Sequence, residues 1–167
     1  MSLDLKDSEY LKIVRNILEN DEFKKMEQIE HHGITRLDHS LKVSYYSYKI
    51  TKVLHLDYRE TARGGLLHDF FFSPESRDGK QRFLSTFTHP SKALDTAKNN
   101  FELSHKEEDM IRSHMFPINI SIPKYAESWV VSTVDKFVAI SELSLKYKFK
   151  FRYAYNVVLL FILGFIK

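Results

Sequence analysis

The chain has 167 residues, enough for a single domain with its own core. Hydrophobic residues make up 43% and charged residues 28%, and the scarcity of Gly (5) and Pro (4) beside 13 Phe and 9 Tyr argues for long helices over a turn-rich β fold. A dispersed net charge of +3 excludes DNA or RNA as the expected partner while leaving cations for an anionic substrate, and zero Cys exclude disulfides and thiolate metal sites.

The opening "MSLDLKDSEY" is polar and carries no signal peptide. "DSEYLKIVRNILEN" places Leu11, Val14, Ile17 and Leu18 at helical spacing, and a short second helix is expected over "DEFKKMEQIE" from Asp21. Gly33 stops the pattern. A long helix then runs from Asp38 to about His55, with His39, Val43, Tyr46, Ile50 and Val53 on one stripe. The next, from Asp57 or Tyr58 to Asp69, has Ala62, Gly65, Leu66 and Asp69 on one face. The small residues there suit close approach of a neighbouring backbone.

"FSPESRDGKQRFLSTFT" has no sustained period and reads as a long surface loop, a lid or binding loop. Pro90 fits the first position of the following helix. Ser104 and Glu107 have the spacing of a capping box, and Glu107, Met110, Ile111 and His114 share a face. Pro123 opens a helix to about Leu143 whose apolar face is Val131, Val134 and Val138, with Asp135 in its middle. A final helix is expected over about Tyr153 to Phe165. Its apolar run "VVLLFILGFI" is ten residues, about half of what a bilayer requires, so it reads as a buried helix with no transmembrane segment, and a homodimer contact or membrane association are the lesser readings. The expectation is one all-α domain of six to eight helices, in the cytosol.

Four ionisable side chains, His39, Asp69, His114 and Asp135, fall on apolar faces of separate predicted helices. His68 neighbours one of them, and His89 sits at a helix entrance. Any one alone reads best as a hydrogen-bonded core residue. Together they would destabilise a small core unless a shared cation compensates them, and imidazole with carboxylate suits divalent iron, manganese, zinc, cobalt or nickel.

The residues that carry this pattern are "LDHS" (His39), "ARGGLLHDFF" (His68 and Asp69) and "VSTVDKF" (Asp135), with gaps of 29 residues from His39 to His68 and 66 from Asp69 to Asp135. In type and spacing they resemble the HD-domain superfamily of metal-dependent phosphohydrolases, over about residues 36 to 142. The resemblance implies an all-α fold around a metal held by His39, His68, Asp69 and Asp135. His89 in "THPSKAL" and His114 in "IRSHMFP" match the histidines of two-metal branches, where Asp69 would bridge the ions. The same six residues resemble the cyclic-dinucleotide-cleaving branch and the HD-type di-iron oxygenases. However, Phe70-Phe71-Phe72 follows the dyad where the former has glycine and lysine, and its GYP triplet is absent. Cyclic-di-GMP is therefore not the expected substrate.

His31, His32, His55 and His105 match no motif and read as surface residues. Among cations, Lys92, Arg112 and Lys136 flank ligand positions and Arg77, Lys80 and Arg82 fall in the expected lid; all read as solvated charges. Arg36, three residues before His39, is the one expected to meet a substrate phosphate, which makes Asp69 and Arg36 the expected catalytic residues. The leading expectation is hydrolysis of a phosphate ester, on a nucleotide or another small phosphorylated metabolite, by a metal-activated water. A di-iron oxygenase on the same ligands and a non-catalytic module stabilised by metal are the alternatives.

Overall fold

A computed structural model describes residues 7–31, 34–72 and 79–144. Helix α1 (Ser8–Leu18) starts where the Asp7 side chain accepts from Tyr10 N, and α2 (Asp21–Lys24) where Asn20 accepts from Phe23 N. A 3-10 turn (Lys25–Gln28) continues α2. Strands β1 (Glu30–His31) and β2 (Ile34–Thr35) form a two-residue antiparallel pair that leads into α3 (Arg36–Val53), capped by Thr35. Asp57 caps α4 (Tyr58–Leu67). Then follow α5 (Gly79–Asn100), α6 (His105–Ser113) with the complete Ser104–Glu107 capping box, and α7 over residues 126–144. Apart from the small hairpin, the described residues are all-α, as expected.

Helix α4 is the central element. A Cβ on Gly65 would lie 3.1 Å from the Cα of Ser44 on α3, and one on Gly64 would lie 2.6 Å from the Met110 sulfur on α6. The two glycines thus let α4 sit against helices on both sides. On one side lies the larger core, where Tyr10, Ile17, Phe23, Tyr48, Leu66 and Phe70 are fully buried. On the other, Val43 and Met110 pack with Val131, Val134 and Val138 of α7.

Two expectations need correction. The stripe on α3 ends early: Ile50 is 41% and Val53 76% exposed, while Ser40, Ser44, Ser47 and Thr51 are buried. Small hydroxyl residues are what a close helix contact admits. Ser44 donates to Ala62 O (2.6 Å) and Thr51 back to Ser47 O (2.8 Å), so these two hydroxyls are satisfied without bulk, whereas those of Ser40 and Ser47 are buried without a partner. Second, the stretch read as a loop is helical from Gly79, and Pro90 lies inside α5, not at its start. A helix tolerates an internal proline when tertiary packing outweighs the lost hydrogen bond, and Pro90 is buried beside Ala93 and Leu94. The expected helix over Tyr153 to Phe165, Arg77, and the side chains of Lys80 and Arg82 lie outside the described residues.

Candidate metal centre

The dyad His68-Asp69 sits just past the end of α4, and His114 just past the end of α6. The last turn of a helix leaves carbonyls without intrahelical partners. His68 Nδ1 donates to Gly65 O and His114 Nδ1 to Ile111 O, each at 2.8 Å and each three residues back. A carbonyl only accepts, so the proton is fixed on Nδ1, and in the neutral ring Nε2 carries the lone pair. Both Nε2 atoms then turn to the same buried place between α4, α6 and α7.

His39 arrives there from α3. Its Nε2 is 3.1 Å from Asp135 Oδ1 and its Nδ1 2.9 Å from Glu142 Oε2. Glu142 in turn accepts from Lys42 Nζ at 2.9 Å. His68 Nε2 lies 3.6 Å from Asp135 Oδ1 and 4.0 Å from Asp69 Oδ2. Asp69 Oδ1 is 3.5 Å from the Nε2 of both His89 and His114, whose Nε2 atoms face each other at 3.0 Å. The structure therefore brings all six expected ligand residues together, with Asp69 between the two subsets.

Electrostatics follow the same layout. Burial opposes the charge of Asp69, yet His68, His114 and His89 around it hold the carboxyl well below its usual range. Asp135 is likewise buried and held low by His39 and His68. Burial works against the His39 imidazolium too, but Asp135 and Glu142 together raise it to about 10. His114 is raised by Asp69 against its burial, whereas burial pushes His89 down to about 4, with His114 adding to the effect and Asp69 countering it.

A metal fits this arrangement. His68 Nε2 and Asp69 Oδ1 are buried and have no hydrogen-bond partner, although both belong to strongly polar groups. Ligand atoms of His39, His68 and Asp69, of His68, His114 and Asp135, and of Asp69, His89 and His114 each lie within 4.8 Å of one another, close enough to share an ion. The mix of imidazole and carboxylate suits a divalent transition metal.

Arg36 lies within reach of the charge of Asp69 and is held by Phe71. It is 9% exposed, its Nη1 donates to Phe71 O at 2.6 Å, and its guanidinium carbon is 4.0 Å from the centroid of the Phe71 ring. Lys136 is likewise committed, donating to His114 O at 2.9 Å and to Ser132. It is no solvated charge, and burial lowers its pKa while Asp135 counters this. Lys92 and Arg112 are exposed, as are His55 and His105. His32 and the His31 side chain lie outside the described residues. One site residue was missed in the sequence. Glu142 lies seven residues after Asp135 and four after Val138, two turns along the same buried face, a spacing that was open to reading.

Among known proteins, the family model described as HD domain matches residues 36–140. No curated protein and no solved structure matches the chain.

Proposed function

This chain belongs to the HD domain family, mostly metal-dependent hydrolases, and from that membership we propose that it hydrolyses phosphate esters of small molecules. The observation that carries this reading is the convergence of His39, His68, Asp69, His114 and Asp135 on one buried centre where two polar atoms lack partners. His39, His68, Asp69 and Asp135 would hold a first divalent ion. Asp69 would reach a second held by His89 and His114.

Bound there, a divalent ion would supply Lewis acidity toward the phosphoryl oxygens and make a coordinated water acidic enough to serve as nucleophile near neutral pH. The chain's own residues prepare the place. Asp69 and Asp135 stay ionised despite burial. Gly65 O and Ile111 O fix the tautomers of His68 and His114, and Glu142 orients His39. His68 and Asp69 are themselves buried, and a water-poor setting strengthens every charge interaction inside. A nucleotide or another small phosphorylated metabolite is the proposed substrate, and the cytosol the proposed setting. No helix among the described residues is long and apolar enough to cross a membrane.

The test combines elemental analysis of the purified protein with a screen of phosphomonoesters, diesters and nucleotides in Mn, Fe, Co, Ni and Zn. Metal-dependent phosphate release, lost together with metal in Asp69→Ala, is expected. Silence across the screen would count against hydrolysis. A mixed-valent di-iron Mössbauer signal with oxygen uptake would replace it with oxygenase chemistry on the same ligands.

A further inference from the structure

We propose that Phe71 is a positioning residue that sets His89 for the second ion by ring stacking, and that Arg36 braces Phe71. The inference rests on the two-ion reading above and goes beyond it by assigning roles to two residues outside the ligand set.

The four histidines of the centre are not held alike. His39, His68 and His114 each have Nδ1 tied by a hydrogen bond, to Glu142 Oε2 (2.9 Å), Gly65 O (2.8 Å) and Ile111 O (2.8 Å). Such a bond fixes both the tautomer and the ring orientation of a ligand histidine. His89 has no comparable bond among the described residues; its Nε2 faces His114 and Asp69. It stands in the interior of α5 beside Pro90, and among the described residues its Nδ1 makes no bond to a carbonyl three residues back like those of His68 and His114.

What His89 has is a ring partner. Its imidazole lies nearly parallel to Phe71, at 17° with centroids 5.3 Å apart. An offset parallel stack restricts rotation about the outer side-chain bond and keeps water from the ring face. Phe71 is itself fixed twice by one side chain. Arg36 Nη1 donates to its carbonyl at 2.6 Å and the guanidinium packs on its ring at 4.0 Å. The order Arg36–Phe71–His89 therefore replaces the hydrogen bond that the other three ligands enjoy.

The three consecutive phenylalanines separate accordingly. Phe70 is fully buried against Phe23 in the large core, at 5.2 Å between centroids, and Phe72 is 41% exposed. Of the three, Phe71 is the one stacked on a candidate ligand.

The experiment titrates Mn(II) into metal-free wild type, Phe71→Leu, Phe71→Tyr, Phe72→Leu and His89→Ala. It reads ions per chain by elemental analysis and the exchange-coupled manganese pair by electron paramagnetic resonance. At a free Mn(II) level that gives wild type two ions, Phe71→Leu should keep one and lose the coupled signal, as His89→Ala does. Its second-site affinity should fall about 10- to 100-fold, the range for partners that orient a ligand. Phe71→Tyr, which keeps the ring, and Phe72→Leu should retain both ions. If circular dichroism shows Phe71→Leu unfolded, Arg36→Met takes its place with the same expected loss.

Two ions at wild-type affinity in the decisive variant would overturn the proposal. So would equal weakening of both sites, or a wild type that binds fewer than two ions. Because the readout is stoichiometry, a wild type that binds two ions but releases no phosphate refutes the hydrolase reading alone.

Discussion

At the residue scale, Glu142 carries the clearest consequence outside the ligands. It is buried, and its two oxygens divide between His39 Nδ1 and Lys42 Nζ, both at 2.9 Å. A leucine there removes the acceptor shared by Lys42 and His39 Nδ1, so the imidazole loses the bond that orients its Nδ1 side. Glu142→Leu is expected to weaken the first ion by about 10- to 100-fold, with Glu142→Gln losing less because its amide oxygen still accepts from Nδ1. Competition against a chelating dye measures both, and equal affinities for the two variants would show that the carboxylate does not orient His39. Of the candidate ligands, His39, Asp69, His114 and Asp135 were legible as ionisable groups on apolar helix faces, whereas His68 and His89 entered the set through the family resemblance. Glu142 was legible in principle and passed over, since a glutamate late in a helix reads by default as solvated. The Phe71–His89 stack was not legible: residues 18 apart on different elements are brought together only by the packing of α5.

At the element scale, α4 is held between two neighbours by adjacent glycines that differ in what they meet. A methyl on Gly65 would press on the backbone of Ser44, whereas one on Gly64 would meet the movable sulfur of Met110 at 2.6 Å and its Cβ at 3.3 Å. Alanine raises helix propensity by about 1 kcal/mol at either position. Forcing α3 and α4 apart costs roughly 1–3 kcal/mol. Gly65→Ala is therefore expected to be the more destabilising of the two, by urea denaturation, and to disturb His68, whose Nδ1 bonds to the Gly65 carbonyl. The reverse order would mean that α3 yields easily. The sequence showed the need for small residues on α4 but not the matching row of Ser and Thr on α3, because hydroxyls carry little apolar signal.

A second tie between elements is pH-dependent. Glu127, near the start of α7, accepts from Lys106 Nζ on α6 at 2.9 Å and from Asp57 N at the head of α4 at 3.1 Å. Burial opposes its charge, but Lys106 and the Asp57 amide hold its carboxyl below the usual 4.5. A carboxyl whose folded value is depressed stabilises the fold above its unfolded value, and that contribution is lost as pH falls through and below about 4.5. The wild type is expected to lose denaturant resistance over that range more steeply than Glu127→Gln; parallel pH curves would remove Glu127 from the account.

For the whole molecule, α3, α4, α5, α6 and α7 each contribute at least one candidate ligand, so an ion at the centre ties five elements together. Chelation should lower the melting temperature, and restoring the ion at about 100 times its Kd should return about 2.7 kcal/mol, roughly 5–10 °C for a chain of this size. Asp69→Ala should show no such response to metal, and a shift as large as that of wild type would place the ion elsewhere. The order of the described helices was legible because caps and periods are local. The start of α5 was not, since residues 79 to 88 lack an apolar period and their helical state is decided by what surrounds them.

The separation of ligands along the chain also sets an order in time. Asp135 and Glu142 meet His39 across 96 and 103 residues. A chain made from its amino end presents His39, His68, Asp69, His89 and His114 before either acidic partner on α7 has left the ribosome. Until α7 docks, those groups lack the two carboxylates that meet His39, so the full candidate set exists only once α7 is in place. Were an ion bound here, its choice would fall late in biosynthesis, when the last described helix closes over His39.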